Sequence, residues 1–161
     1  MYIREASLED KPEIIRLYEV SQASTGVPKP DDIPPGELGK MLYARDTISR
    51  FVAVDLGVIV GHGHIERANP NNMSIWQSVT STTDVEMVEL GGAFTKPSRL
   101  GEGIWTTLLE HRLNVVRKMG AIPVSATWST NEHVKQAFLT RGATFAGSLQ
   151  SNNSVVNLFV W

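Results

Sequence analysis

The chain has 161 residues, of which 42% are hydrophobic and 20% charged, and its formal net charge is −2. This balance predicts one globular domain over residues 1–161, without the basic surface that general nucleic-acid binding requires. Because the chain has no cysteine, disulfides, thiolate catalysis and sulfur-ligated metals are excluded. No apolar run approaches the roughly 20 residues that span a bilayer, and the start does not resemble a cleavable leader. We therefore expect a cytoplasmic protein that binds neither nucleic acid nor a membrane.

The first part of the sequence predicts a short strand, a helix and a long loop. Ser7 and Asp10 have the spacing of a capping box, and apolar residues then recur at helical spacing over residues 14–18. Residues 21–36 are rich in Ser, Gly, Asp and Pro, which predicts a loop. A second short helix is predicted over residues 37–45.

The rest of the sequence alternates between strands and helices. It predicts, in chain order, a hairpin (50–56 with 58–66), a turn (69–72), a strand (85–95), a helix (104–119), a strand (122–128), a helix (131–142) and a second hairpin (144–149 with 155–161). The strand–helix–strand order from 85 to 128 implies at least one parallel pair in an otherwise antiparallel sheet. The apolar last strand, 155–161, is a candidate edge for a homodimer.

The segment FTKPSRLGEGIWTTLLEHRL, residues 94–113, has the pattern of an anion-binding site. A predicted strand runs into a Gly-x-Gly loop that opens directly onto a helix. Gly101 and Gly103 let the backbone approach a ligand closely, and the first amides of the helix point outward at the positive end of its dipole. This arrangement predicts a site for a pyrophosphate. The alternative is that the two glycines serve only a turn.

The same segment resembles the GNAT acetyltransferase superfamily, whose pyrophosphate loop reads Arg/Gln-x-x-Gly-x-Gly/Ala after a strand and a proline. Pro97 stands at the position of the proline, and residues 100–105 stand on the motif. The later segment NEHVKQAFLTRG, residues 131–142, is similar to a second family motif, Asn-x-x-Ala-x-x-Leu-Tyr-x-x-x-Gly. The opening segment IREASLED, residues 3–10, also looks like the first strand and helix of the family.

The resemblance implies an α/β mixed sheet of about seven mostly antiparallel strands with about four helices, in which a parallel pair splays apart to admit the pantetheine arm of acetyl-CoA. It implies direct transfer of an acetyl group from acetyl-CoA to a primary amine of a small molecule or a protein, with no metal. The residues that would lie at the cofactor are Ala93, Phe94, Thr95, Arg99, Leu100, Gly101, Glu102, Gly103, Ile104, Trp105, Thr106, Asn131 and Phe138.

Three positions depart from the family pattern. Leu100 occupies the Arg/Gln position, although Arg99 is adjacent, and Trp105 occupies the closing Gly/Ala position. Phe138 stands where many relatives carry the tyrosine that protonates the departing thiolate. These departures leave open a second function, a catalytically impaired acyl-CoA-binding, regulatory or interaction domain on the same scaffold.

Glu89 and His64 are the candidate catalytic residues. Amines are mostly protonated near neutral pH, so direct transfer needs a base or a proton relay. Glu89 lies six residues before Thr95, which resembles the position of the glutamate base in histone-type members, and burial on a core strand would raise its pKa. His62 and His64 alternate on one strand face, where His64 would act as base or proton relay. The alternative is that these are packed or surface histidines without a chemical role. Without a third ligand, this His-x-His pattern does not predict a metal site.

Overall fold

The computed structural model describes residues 1–25, 37–44, 47–80, 84–151 and 154–161. The strands are β1 (Tyr2–Glu5), β2 (Thr47–Asp55), β3 (Val58–Arg67), β4 (Met87–Thr95), β5 (Ile122–Trp128), β6 (Thr144–Ser151) and β7 (Ser154–Val160). The helices are α1 (Lys11–Thr25), α2 (Leu38–Tyr43), α3 (Met73–Ser78), α4 (Ile104–Lys118) and α5 (Glu132–Leu139). None of these described helices is long and apolar enough to cross a membrane.

The seven strands form one mixed sheet in the order β1-β2-β3-β4-β5-β7-β6. β4 and β5 are parallel, and their register runs from Met87 opposite Ile122 to Glu89 opposite Val124. β1 pairs antiparallel with β2, and β7 pairs antiparallel with both β5 and β6. The predicted α/β class, the seven strands and the parallel pair are confirmed.

The chain folds as two compact units. One comprises Met1–His64 with Gly92–His111, and the other comprises Ile65–Gly91 with Arg112–Trp161. In the first unit the apolar face of α1 packs on β2 and β3 through the buried residues Ile14, Leu17, Tyr18, Val52, Val54 and Ile59. In the second unit α3 packs on the sheet through the buried residues Trp76, Met87, Val124, Leu158 and Val160. The first core follows from the apolar periodicity of α1, β2 and β3.

The predicted loop over residues 21–36 begins too early. α1 continues to Thr25, and Ser21 within it is 1% exposed. Serine has a low intrinsic preference for a helix interior, but the Ser21 hydroxyl donates to the Thr95 carbonyl at 3.0 Å. This contact with a residue far along the chain offsets the local preference. Residues 26–36 of the predicted loop lie outside the described residues.

Helix α3 is absent from the prediction. It follows the predicted turn, which forms a single 3₁₀ turn over Pro70–Asn72 with the Asn69 Oδ1 accepting from the Asn71 amide at 3.0 Å. α3 has only six residues, too few to show a helical period in the sequence. Burial of Trp76, which is 0% exposed, anchors the helix instead.

The predicted capping box between β1 and α1 is confirmed, with Asp10 in the position where Glu or Gln is usual. The Ser7 amide donates to Asp10 Oδ2 at 2.7 Å. Arg4 donates to both carboxylate oxygens of Asp10, at 2.6 and 2.8 Å. These Arg4 hydrogen bonds are the largest cause of the lowered pKa of Asp10, which lies well below its ordinary value.

We predict that Asp10→Ala lowers the free energy of unfolding by about 2 kcal/mol near pH 7, because a cap and a two-pronged ion pair are lost. The folded-state pKa of Asp10 is lowered, so its contribution is present above the ordinary carboxyl pKa and is lost as pH falls toward the folded-state value. The difference between wild type and variant should therefore shrink below about pH 4. Urea unfolding at neutral and acid pH measures both effects.

Glu9→Ala is the matched control, since Glu9 is the exposed neighbour of Asp10. Its effect should stay below about 0.5 kcal/mol. An Asp10→Ala protein as stable as wild type near neutral pH would show that the cap and ion pair contribute nothing.

Candidate active site

The loop between β4 and α4 contains two glycines in the left-handed region. Gly101 has φ +85° and Gly103 has φ +75°. A Cβ placed on either residue would meet no atom of the described residues within 4 Å. Other residues rarely adopt this conformation, so the loop depends on glycine at both positions. The backbone of the loop is consequently open on the side where these side chains are missing.

Helix α4 starts at this loop. Its hydrogen-bond ladder begins with the Thr107 amide, which donates to the Gly103 carbonyl at 2.9 Å. The amides of residues 103–106 therefore stand at the positive end of the helix, ahead of the ladder. Trp105 is half-buried, and no atom of it lies within 4 Å of the position that a Cβ would occupy on Gly101 or Gly103.

Arg99, predicted to lie at the cofactor, is held by two carboxylates. Its Nε donates to Glu102 Oε1 at 2.6 Å, and a terminal nitrogen donates to Asp55 Oδ2 at 3.0 Å. The Arg99 hydrogen bond lowers the pKa of Glu102, which lies in the loop itself. Arg99 thus neutralises an acidic side chain that would otherwise repel an anion, and a phosphate would compete with two carboxylates for its guanidinium.

The peptide unit between Thr95 and Lys96 shows which backbone groups of β4 point away from β3. The Lys96 amide donates to the Val60 carbonyl of β3 at 2.9 Å. The Thr95 carbonyl belongs to the same planar peptide unit and points the other way, where it accepts from Ser21. Because backbone groups alternate along a strand, those of Ala93 also point away from β3.

Phe94 differs from its two neighbours in this respect. Its carbonyl lies toward β3, 3.3 Å from the position that a Cβ would occupy on Gly61. Its ring packs edge-on against Tyr18, with centroids 4.6 Å apart. Of the three β4 residues predicted to pair with a pantetheine arm, Ala93 and Thr95 thus present backbone groups at this edge, and Phe94 contributes its side chain to the interior.

Thr95 also has an unsatisfied side chain. It is 8% exposed, and its hydroxyl has no hydrogen-bond partner among the described residues. Burying a hydroxyl without a partner costs about 1–3 kcal/mol. A polar ligand group at the end of β4 would remove this cost.

Tyr18, His62 and His64 form a buried polar cluster beside β4. They are 0%, 0% and 2% exposed. The Tyr18 hydroxyl and His62 Nδ1 are hydrogen-bonded at 3.1 Å, and the two imidazole centroids are 5.9 Å apart. A Cβ on Gly92 of β4 would lie 3.7 Å from His64 Cε1, so His64 lies alongside this strand.

The second predicted catalytic residue, Glu89, lies in different surroundings. It is half-buried, and its Oε2 accepts from the Asn69 amide at 3.3 Å near the surface. Glu89 belongs to the unit that contains Ile65–Gly91, whereas His64 ends the segment Met1–His64 of the other unit.

Solved structures share this architecture. A structure from Corynebacterium glutamicum, described as histone acetyltransferase HPA2 and related acetyltransferase, matches with TM-score 0.72 and 20% identity over 98% of this chain and 93% of that one. A putative acetyltransferase from Salmonella typhimurium, solved with its cofactor acetyl-CoA, matches with TM-score 0.72 and 17% identity over 100% and 92%. A ribosomal-protein-alanine N-acetyltransferase from Brucella melitensis matches with TM-score 0.73 and 16% identity over 100% and 99%.

This chain has the GNAT fold. The resemblance found in the sequence is thereby confirmed at the level of the fold, which is all that identities this low establish. No protein-family model matches the sequence, and no curated protein is significantly similar to it.

Within the GNAT fold, Asn131 and Phe138 both have contacts in and around α5. Asn131 caps the helix, with its Oδ1 accepting from the Val134 amide at 3.4 Å. Phe138 is 4% exposed and packs edge-on against Phe159 and Trp161, with centroids 5.3 and 5.0 Å apart. Capping and aromatic packing account for these two positions, and their role at a cofactor stays a prediction.

Three side chains that hydrogen-bond to carbonyls of β4 are not predicted from the sequence. These are Ser21 of α1, Arg112 of α4 and Ser125 of β5. Only Arg112 has a sequence signal, because it lies four residues after Leu108 and four before Val116 on the apolar stripe of α4. A charged residue in a buried stripe indicates a specific partner. No group of three or more metal-ligating side chains occurs among the described residues.

We predict that Arg99→Gln raises the pKa of Glu102, because the guanidinium that favours the charged carboxylate is removed. Carbon-detected NMR titration of the side-chain carboxyls measures this. Glu132 is the internal control, since its pKa is lowered by Gln136 and then Lys135 and should not respond. An unchanged Glu102 titration would mean that the Arg99–Glu102 pair does not persist in solution.

Proposed function

We propose that this protein is an acetyl-CoA-dependent N-acetyltransferase that moves an acetyl group directly to a primary amine of a small molecule or a protein. The observation that carries this proposal is the loop in which Gly101 and Gly103 leave open space at the N-terminus of α4. A pyrophosphate there would accept hydrogen bonds from the loop and first-turn amides. The Salmonella structure with acetyl-CoA, which has the same fold, supports this choice of cosubstrate.

The residues present fit acetyl-CoA at two places. The amides of residues 101–106 would hold the pyrophosphate, and the outward backbone groups of Ala93 and Thr95 would hold the amides of the pantetheine arm. The buried Thr95 hydroxyl, which has no partner among the described residues, is a further group that a polar ligand would satisfy. When bound, acetyl-CoA supplies an already activated thioester, so the proposed reaction needs no metal.

We assign removal of the proton from the acceptor amine to the buried histidines. In our proposal the His64 imidazole accepts the proton that the acceptor amine must lose. The hydrogen bond between the Tyr18 hydroxyl and His62 Nδ1, at 3.1 Å, holds the His62 ring beside His64, with the two imidazole centroids 5.9 Å apart. Glu89 is the competing assignment from the sequence, and its hydrogen bond to the Asn69 amide lies at the surface.

A second function, binding of acyl-CoA without turnover, is favoured by Phe138. Phenylalanine cannot donate a proton to a departing thiolate, and this one is enclosed by Phe159 and Trp161. Cofactor binding with no transfer to any amine would support this alternative.

We predict that Gly103→Ala weakens coenzyme A binding by at least about tenfold, because the strained loop can no longer hold its amides in place. Gly120→Ala is a matched control. Gly120 has the same φ of +75°, and its Cβ position also meets no described atom within 4 Å, but it follows the far end of α4. Both variants should lose about 1 kcal/mol of stability. Calorimetric titration separates them, and equal affinities would contradict the loop assignment.

We predict that His64→Gln lowers kcat by about 100-fold toward an amine found by screening, with Kd for coenzyme A unchanged. Glu89→Gln and the exposed control His133→Gln should keep near-wild-type rates. Loss of turnover in Glu89→Gln but not in His64→Gln would assign the base to Glu89.

A further inference from the structure

The backbone of β4 changes its hydrogen-bond partners part-way along the strand. Its parallel register with β5 runs from Met87 opposite Ile122 to Glu89 opposite Val124. The carbonyls of the next two β4 residues accept from side chains instead. Ser125 donates to the Leu90 carbonyl at 3.1 Å, and Arg112 donates to the Gly91 carbonyl at 2.7 Å.

A third side chain donates a hydrogen bond to a carbonyl at the end of the same strand. Ser21 of α1 donates to the Thr95 carbonyl at 3.0 Å. Ser21, Arg112 and Ser125 are 1%, 2% and 2% exposed. The hydrogen bonds of the two serines are buried, and that of Arg112 is part-buried. We call these three side chains the β4 anchors.

The chemistry of Arg112 shows that its position is not explained by core packing alone. It lies on the apolar stripe of α4, where Leu108, Leu109 and Leu113 are buried. Burying a guanidinium costs free energy that an apolar side chain of similar volume would not incur. Its short hydrogen bond to Gly91 offsets part of that cost and fixes the peptide unit between Gly91 and Gly92.

The anchors flank the backbone groups that face outward from β4. Ala93 lies between the anchored carbonyls of Gly91 and Thr95, and its own backbone groups point away from β3. We propose that Ser21, Arg112 and Ser125 are positioning residues, which hold β4 so that the backbone of Ala93 is set to pair with the pantetheine arm of coenzyme A. This inference rests on the proposed function.

The physical reason is preorganisation. A strand edge that is already held in an extended conformation loses little freedom when a ligand amide pairs with it. If an anchor is removed, its carbonyl turns toward another donor, and the ligand must then order the strand. Affinity for the arm should fall, whereas affinity for phosphates at the loop should not.

The test compares two ligands on the full chain by calorimetry. One is coenzyme A, and the other is 3′-phospho-ADP, which is coenzyme A without its pantetheine arm. We expect Ser125→Ala, Ser21→Ala and Arg112→Met each to weaken coenzyme A by about five- to tenfold while 3′-phospho-ADP is unaffected. Ser148→Ala is the control. It removes a hydrogen bond of 2.8 Å to Asn157 between β6 and β7, and β5 separates these two strands from β4 in the sheet order. It should change neither affinity.

Amide hydrogen exchange of the ligand-free proteins gives a second readout. The Lys96 amide, which donates to the Val60 carbonyl and shares a peptide unit with the anchored Thr95 carbonyl, should exchange faster in the anchor variants than in wild type and in Ser148→Ala. Should Arg112→Met fail to fold, the two serine variants still decide the question. Equal losses for both ligands, or no loss for coenzyme A, would overturn the positioning role. A wild-type protein that binds neither ligand would overturn the proposed function and this inference with it.

Discussion

The backbone carbonyls of β4 require hydrogen-bond donors along the whole strand, and the neighbouring strand β5 pairs with only its first part. From Met87 to Glu89 the two strands are in register, and beyond that point side chains of β5, α4 and α1 donate to β4. A buried carbonyl left without a donor would cost more than an ordinary hydrogen bond contributes. This constraint explains why an arginine and two serines are buried. It also connects the fold to function, because Ala93 lies between the anchored carbonyls of Gly91 and Thr95 and is proposed to pair with the pantetheine arm.

The proposed phosphate site relies on backbone amides more than on side-chain charge. Leu100 stands where the family carries Arg or Gln and is 59% exposed, and the neighbouring Arg99 is occupied by Asp55 and Glu102. What remains for an anion is the helix N-terminus with its two left-handed glycines. Such a site has a fixed geometry but little net positive charge, so ionic strength should affect ligand binding less than at a site built from lysines.

The sequence was sufficient for the parts of the fold that depend on local pattern. The start of α4 and the capping box at Asp10 follow from short-range signals, the parallel pair follows from the strand–helix–strand order, and the structure confirms them. Interactions between distant parts of the chain were not predictable. Ser21 is helical because of a carbonyl 74 positions away, and Arg99 is bound by a carboxylate 44 positions away. Neither partner can be identified without the tertiary fold. The six-residue helix α3 was not predicted because it is too short to show a helical repeat of apolar residues in the sequence.

One measurement addresses the central claim, that β4 binds the pantetheine arm of coenzyme A and the loop after it binds the pyrophosphate. In a ¹H–¹⁵N NMR titration with coenzyme A, the largest amide shifts should occur at Ala93 and Thr95 on the strand and at Gly101, Gly103 and Ile104 on the loop. Phe94, whose carbonyl lies toward β3, should shift less than both of its neighbours. This alternation would support strand-edge pairing by the pantetheine arm. An unperturbed spectrum at millimolar coenzyme A, or shifts concentrated outside residues 93–106, would contradict the account.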